Sequence, residues 1–401
     1  MSGIVIIGAG ECGTRAAFAL REAGYSGTIV LVGAEPHLPY ERPPLSKPMD
    51  GAVQMKLICT DDALAAAGID YRRGVSAATL DVDAATVILS DGRPLTYEKL
   101  LLATGARPRK LACPGAERTL DFRTHADAEA IFANVRAGGS VAIIGAGLIG
   151  MELASVLRGR DVAVSIIEAA PKPLGRAVPP RFAEGLHARH VSEGVSFHLD
   201  RGVVAIDDDG VLLADGSRVQ AQLVVSAIGV VPEISLAQQA GLATGNGILT
   251  DACLRTSAAD IFAAGDCAAV SQPGGGHVRF ESWRNARDQA ATAARNMLGA
   301  AEPFAAIPWF WSDQYDLCLQ VVGLPQPFHR SIVRSSGDKE IAFYLEDGRL
   351  VAAAGLGVGR AVAKDIKLAE MLVAAGVTPD PAALADPDAN LKMLLKSVRA
   401  A

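Results

Sequence analysis

The sequence predicts an α/β protein in which one βαβ module occurs twice and a smaller α+β domain closes the chain. Two observations carry this prediction. A β-branched apolar run meets a G-x-G-x-x-G turn at residues 3–13 and again at residues 140–150, each time followed by an Ala/Leu-rich helical stretch. Beyond Pro308 the texture changes to short alternating apolar segments and one longer helical stretch. A pattern repeated at this spacing marks a duplicated supersecondary unit.

The elements follow in order. Gly3-Ile4-Val5-Ile6-Ile7 reads as a strand that starts at once, and Gly8-Ala9-Gly10-Glu11-Cys12-Gly13 turns it into a helix. Residues 28–32 form a second strand that leads to Glu35. The later copy runs from Ser140 through Gly145-Ala146-Gly147-Leu148-Ile149-Gly150 into a helix, then through a strand at 162–167 to Glu168. In each copy the first glycine permits the tight turn, the second lets backbone approach a pyrophosphate, and the third lets helix pack on strand. The helix N-terminus supplies unpaired N–H groups and the positive dipole end for the phosphates. Glu35 and Glu168 lie close to the ~20 residues past the glycines at which an acid meets a ribose diol. One such motif is weak; two complete copies predict two Rossmann-like dinucleotide-binding domains.

Between the modules lie a Pro-rich loop at 36–48 and a meander rich in Asp-Gly turns, leading to Ala103-Thr104-Gly105. A matching apolar segment at 223–228 ends on Gly229. Both segments are stopped by glycine and then proline, as at a crossing between domains. Residues 260–267 give a further strand, which ends in Asp266. The expected organisation is therefore a discontinuous first domain (1–108 and 233–307), a second domain at 109–232, and an α+β domain at 308–401. In the last, strands are expected at 317–322, 331–334, 340–345 and 350–354, a helix near 362–375, and a loose helix after Pro379.

Composition narrows the functions. The 401 residues are 50% hydrophobic and 20% charged, with mean hydropathy +0.25, which excludes a largely disordered chain. Net charge is -6 and basic blocks are absent, so no nucleic-acid partner is expected. Apolar runs fall far short of the ~20 residues that span a bilayer, and the N-terminus lacks the features of a signal peptide. Cys12, Cys59, Cys113, Cys253, Cys267 and Cys318 are scattered, which predicts neither disulfide framework nor zinc site and fits a reducing, cytoplasmic setting. His187-x-x-His190 has helical spacing without a carboxylate at a metal-motif offset; it reads as an exposed helix face.

Two nucleotide sites in one chain imply electron traffic, and the residues favour FAD in the first module and NAD(P)H in the second. Asp266 ends a strand returning to the first module, where an acid can meet a ribityl hydroxyl or a water on the pyrophosphate. Arg42 and Lys47 lie in a loop long enough to cover a flavin, and the Lys47 cation would stabilise negative charge on a reduced ring. Glu152 falls in the first turn of the second helix. There it either suits the helix dipole or sits beside the nicotinamide and pairs with Lys47. Glu168 accepts a ribose hydroxyl and repels a 2′-phosphate, which favours NADH, although Lys172 and Arg176 lie nearby. Trp309 and Trp311 either pack an interface or cover a cofactor ring.

The strings Pro39-Tyr40-Glu41-Arg42-Pro43-Pro44-Leu45-Ser46-Lys47, Ala103-Thr104-Gly105, Gly145 to Glu152, Gly265-Asp266-Cys267 and Trp309 to Gln314 resemble the FAD-dependent ferredoxin reductases of bacterial oxygenase systems. Putidaredoxin reductase and the biphenyl dioxygenase reductase typify that family. The resemblance implies a three-domain fold of the glutathione-reductase type. It implies that FAD is held by Gly8, Ala9, Gly10, Gly13, Glu35, Arg42, Lys47, backbone near Val75, Ala103, Thr104, Gly105, Arg123, Asp266 and Trp283. NADH would lie over Gly145, Gly147, Leu148, Ile149 and Gly150, with Glu168 on its adenosine ribose and Gly229 near the dinucleotide. It further implies a Lys47–Glu152 ion pair near flavin N5 and Trp311 near the flavin–nicotinamide stack.

Disulfide reductases of the wider superfamily carry a redox cysteine pair where this chain reads Pro43 to Pro48, so a thiol relay is not expected there. The chain has no cysteine cluster for an iron–sulfur centre, and the expected acceptor is a separate 2Fe–2S ferredoxin. A rubredoxin reductase, an NADH oxidase and an NADH-responsive flavoprotein resembling apoptosis-inducing factor are the alternatives. Arg72, Arg73, Arg284 and Lys396 are candidate docking cations for an acidic ferredoxin, and the protein is expected to be a monomer or homodimer.

Overall fold

The computed structural model describes residues 3–47, 52–175 and 178–395, together with the backbone of 396–399. The chain divides into two compact units. One comprises Met1–Leu45, Gln54–Arg107 and Val230–Ala306; the other comprises Ser46–Val53, Pro108–Gly229 and Ile307–Ala401.

In the first unit the strand Gly3–Ile7 lies between the parallel strands Ile29–Gly33 and Pro94–Leu102, with Ile69–Arg73 beyond the former and Ile261–Ala263 beside the latter. Every residue of Gly3–Ile7 is buried, because both faces of the sheet are covered. Ile4 and Ile6 join one apolar cluster with Leu20, while Val5 and Ile7 join another with Leu100 and Leu102. This two-sided burial is why the strand reads as an unbroken apolar run. The helix Glu11–Glu22 packs against Trp283–Met297. Ala16 and Ala17 on one and Ala290, Ala293 and Ala294 on the other are fully buried, and such small side chains let the two backbones approach closely.

In the second unit the strand Ser140–Ile144 lies between Ala163–Glu168 and Leu223–Ser226, again in parallel. Ser196–Leu199 and Leu120–Asp121 extend this sheet at its two sides. The same unit carries a five-stranded antiparallel sheet in the order Trp309–Gln314, Leu317–Gly323, Arg349–Val358, Lys339–Glu346, Arg330–Ser336. The helix Ala363–Ala374 packs on it, its Ile366 and Leu372 joining Val322, Phe343 and Leu350 of the sheet in one apolar cluster.

The four strands expected after residue 316 lie inside longer observed ones, and Trp309–Gln314 adds an edge strand that its aromatic content had disguised. The tail forms two helices, Pro381–Ala385 and Leu391–Arg399. The buried Arg334 guanidinium ties this tail to the sheet by donating to the carbonyls of Ala383, Leu384 and Ala389 at 2.8–3.1 Å. Among the described residues no helix is long and apolar enough to cross a membrane.

Candidate functional site

Each βαβ module ends in a cradle whose glycines are constrained in different ways. Gly8 has φ +110°, and a Cβ there would meet the Ala103 carbonyl oxygen at 2.1 Å; at Gly13 it would meet the Gly8 oxygen at 1.8 Å. The second copy repeats this. Gly145 has φ +109° with the Ala227 oxygen at 2.4 Å, and Gly150 faces the Gly145 oxygen at 2.2 Å. The outer glycines are thus demanded by the fold itself. Gly10 and Gly147 are different: a Cβ on either meets no protein atom within 4 Å. Both are N-caps without a side-chain capping hydrogen bond. A glycine that packing does not require, set before a helix with uncapped N–H groups, fits the close approach of a pyrophosphate.

In the first unit Glu35 follows the strand Ile29–Gly33 and accepts hydrogen bonds from Tyr40 Oη and, at 2.9 Å, from Arg42 Nη2. The structure thus joins the two predicted residues Glu35 and Arg42. Val75 spends its N–H on the Gly33 carbonyl, and Ala103 spends its own on Ile7, so each keeps only its carbonyl for a ligand. Thr104 Oγ1 donates to the Glu233 carbonyl, and Gly105 accepts from Glu233 N–H. Gly265 has φ +83° and donates its N–H to the buried Gln289 side chain, which fixes the turn carrying Asp266. Trp283 opens its helix behind the Ser282 cap. Cys12, in the middle of the first glycine motif, is buried against Gly265, and burial pushes its thiol well up. All six cysteines are free thiols.

In the second unit Leu148 and Ile149 begin the helix Leu148–Arg158, and Ile149 is exposed. Glu168 has partners within the protein itself. Its Oε2 accepts from Ala146 N–H in the glycine turn at 2.8 Å, and its Oε1 from Ala170 N–H at 2.9 Å. The acid therefore braces the turn it serves. Gly229 has φ +97° and accepts from Arg109 N–H. Arg123 also belongs to this unit, and its N–H is held by Asp127. Lys172 pairs with Glu184 at 3.2 Å, while Arg176 lies outside the described residues.

A polar cluster forms within the second unit around Glu152, in the helix that opens on this cradle. Lys47 Nζ ion-pairs with Asp313, and Trp311 Nε1 donates to the same carboxylate at 3.2 Å. The ammonium lies 5.8 Å from the centre of the Trp311 ring, which stacks on Trp309 at 5.3 Å between centroids. Glu152 accepts from Ser312 Oγ at 2.7 Å and from Ser46 Oγ at 2.9 Å. Burial raises its pKa above the ordinary glutamate value. The Ser312 bond, the Lys47 charge and the Ser46 bond oppose that rise, and Asp313 adds to it. For Asp313 burial works upward too, but the Lys47 bond and charge, with Cys318 and Trp311, leave its pKa lowered.

This corrects two expectations. The direct partner of Lys47 is Asp313 rather than Glu152, because two hydroxyls occupy the Glu152 carboxylate. Glu152 is also the fifth residue of its helix, past the first turn, so the dipole does not account for it.

The expectation of an exposed helix face is overturned at His190 and only partly met at His187, which is half-buried. His187 sits edge-on to Phe197 with ring centroids 4.4 Å apart. His190 is wholly buried; its Nε2 is 2.9 Å from Gln314 Oε1 and its Nδ1 is 3.1 Å from Tyr315 Oη. Spacing alone could not show this, since its partners lie more than a hundred residues away. Of the docking cations, Arg72 pairs with Asp70, Arg73 with Asp61 and Arg284 with Asp288. The side chain of Lys396 lies outside the described residues. Among the described residues no group of acids, histidines and cysteines could hold a metal ion.

Two such cradles in one chain define a two-dinucleotide oxidoreductase. Residues 2–290 match the pyridine nucleotide-disulphide oxidoreductase family, and residues 309–395 match the reductase C-terminal family. The chain belongs to the pyridine nucleotide-disulphide oxidoreductases. It is 41% identical over 404 residues to the ferredoxin–NAD(+) reductase component of the anthranilate 1,2-dioxygenase system of Burkholderia cepacia, with 98% of each chain covered. A crystal structure of a ferredoxin reductase from Rhodopseudomonas palustris matches with TM-score 0.93 at 33% identity, over 98% of this chain and 100% of that one. The covalent putidaredoxin reductase–putidaredoxin complex matches with TM-score 0.92 at 33% identity, over 100% of this chain and 99% of the other.

Proposed function

We propose that this protein is an NADH:ferredoxin oxidoreductase. It draws electrons from NADH through bound FAD and passes them to a separate 2Fe–2S ferredoxin, which feeds a ring-hydroxylating oxygenase or a cytochrome P-450. The observation that carries the reading is similarity along 98% of the chain to a ferredoxin–NAD(+) reductase, C-terminal domain included. FAD belongs in the first cradle, with Glu35 and Arg42 at its edge and Asp266 on the returning strand. NADH belongs over Gly145, Gly147 and Gly150 beside Glu168.

Bound FAD supplies the conversion of one hydride into two single electrons. The chain's own residues do the rest. Glu168 fixes the second glycine turn and disfavours a 2′-phosphate. Lys47, held by Asp313, supplies a positive charge, while Glu152 with its two serine hydroxyls supplies an oriented carboxylate. Ferredoxin binding is weak and transient, as suits electron-transfer partners. The domain boundaries follow the sequence reading (1–108 with 233–307, 109–232 and 308–401). The protein works in the cytoplasm as a monomer or homodimer.

The test is cytochrome c reduction by NADH with and without 2Fe–2S ferredoxins, after checking the visible spectrum for flavin. Reduction that depends on ferredoxin is expected. A colourless holoprotein, or no gain with any iron–sulfur acceptor, would overturn the reading. In the latter case NADH-dependent dimerisation would point to a regulatory flavoprotein instead.

A further inference from the structure

The buried His190 and the partly buried Glu152 carboxylate of the second unit are joined by one continuous chain of hydrogen bonds. Glu152 Oε1 is 2.7 Å from Ser312 Oγ, which is 3.0 Å from Gln314 Nε2; Gln314 Oε1 is 2.9 Å from His190 Nε2, and His190 Nδ1 is 3.1 Å from Tyr315 Oη. His190 and Gln314 have no exposed surface and Ser312 only 1%, so water does not replace these bonds.

The direction of every bond follows from the carboxylate. An ionised Glu152 can only accept, so Ser312 must donate to it. The Ser312 oxygen then accepts from the Gln314 amide nitrogen, which turns the amide oxygen toward His190. His190 therefore carries its proton on Nε2, and its bare Nδ1 accepts from the Tyr315 hydroxyl. All four donors point the same way, an arrangement in which each bond polarises the next.

We propose that His190 is a positioning residue for Glu152, holding the Ser312 proton on that carboxylate through Gln314. The chain starts on the helix Pro180–Ser192, passes along the edge strand Trp309–Gln314, and ends on the helix that opens on the second cradle. A hydroxyl and a carboxamide alone would be free to rotate. The imidazole fixes which end of Gln314 faces Ser312, and so which way the serine proton points. Burial holds His190 in the neutral form this requires; its Gln314 bond opposes that shift, while His187 and Arg189 reinforce it. The charged groups facing Glu152 are Lys47 and Asp313. A role in turnover rests on the proposed NADH reaction, but control of Glu152 does not.

The test is infrared titration of the oxidised holoprotein without NADH, following the protonated-carboxyl stretch identified by its loss in Glu152→Gln. In His190→Leu the Glu152 midpoint is expected to rise by about one pH unit, a tenfold change in proton affinity. Ser312→Ala should do the same. His190→Gln, which restores an N–H donor, should bring the midpoint back toward wild type. Tyr315→Phe, at a half-buried position tolerant of the change, keeps the proposal testable should His190→Leu not fold; it should raise the midpoint by a smaller amount. An unmoved midpoint in His190→Leu beside a shifted one in Ser312→Ala would overturn the proposal, as would an unmoved midpoint in Tyr315→Phe. If the midpoints shift while NADH turnover stays constant, the positioning stands and the proposed role of Glu152 in the NADH reaction fails.

Discussion

The Lys47 ammonium is neutralised by the carboxylate of Asp313, and Glu152 is left to two serine hydroxyls. The cluster therefore contains one ion pair and one separately solvated acid. Lys47 lowers the pKa of Glu152 without touching it, and Asp313 raises it. A change at Asp313 thus acts twice on Glu152, by removing a repulsion and by releasing a cation.

Asp313→Asn and Lys47→Ala are expected to separate these effects. Both partners are more than a third exposed, so the pair contributes less than about 1 kcal/mol to stability and neither variant should unfold. Lys47→Ala removes the cation and should slow flavin reduction by NADH about tenfold or more in stopped flow. Asp313→Asn keeps the cation and should slow it less. Equal loss in both variants would show that the pair, and not the cation, is what the reaction needs.

The glycine turns give a sharper contrast, because packing requires some glycines and not others. Gly8→Ala drives a methyl into the Ala103 carbonyl at a positive φ, so the first cradle should not form and the protein should be unstable. Gly10→Ala meets no protein atom within 4 Å. Its thermal stability without flavin should change by no more than about 1 kcal/mol, the size of an ordinary capping effect. Flavin retention on gel filtration should nevertheless fall. Full flavin occupancy in Gly10→Ala would mean that the phosphates do not approach there.

Glu168→Ala tests a double duty. Removing the carboxylate strands the N–H of the buried Ala146, at about 1–3 kcal/mol, whereas the N–H of the exposed Ala170 turns to water. The NADH KM should rise tenfold or more with a smaller change in kcat, and NADPH should gain little because the turn itself loosens. A clean switch to NADPH with undiminished NADH affinity would show that Glu168 only reads the ribose.

Legibility in the sequence followed the range of the interactions. Both βαβ modules were readable because strand, glycine turn, helix and acid lie within about forty residues and each has its own local signature. Glu35 and Arg42 were both assigned to one cofactor by resemblance, but their hydrogen bond to each other was not read. The partner of Lys47 could not be read, because Asp313 comes from a strand far along the chain and Glu152 offered an equally plausible charge. Trp309–Gln314 hid its strand character behind aromatic and polar residues that alternate poorly. His190 was misread because two histidines at helical spacing say nothing about what packs over the helix. Its partners Gln314 and Tyr315 end the very segment that carries Ser312 and Asp313, so a tertiary contact, not a motif, makes that segment informative.

The burial of His190 also predicts how the protein responds to acid. Burial lowers its pKa from the ordinary 6.5 to about 4, against the Gln314 bond and with help from His187 and Arg189. Above pH 6.5 the histidine is neutral in both folded and unfolded chains, and the folded state keeps this contribution in full. As pH falls below 6.5 the unfolded chain takes up the proton first, so the contribution declines until the folded pKa near 4 is passed. By linkage the loss across that window is at most about 3 kcal/mol. Protonation would also place a hydrogen on Nδ1, so that the Tyr315 hydroxyl would have to turn from donor to acceptor. Urea unfolding of wild type and His190→Gln at pH 7 and pH 4.5 isolates the effect, since the restored N–H donor keeps Glu152 titrating close to its wild-type midpoint. The wild type should lose more stability on acidification than the variant. Identical losses would mean that His190 takes up its proton as readily in the folded chain as in the unfolded one, and that burial does not hold its ring neutral.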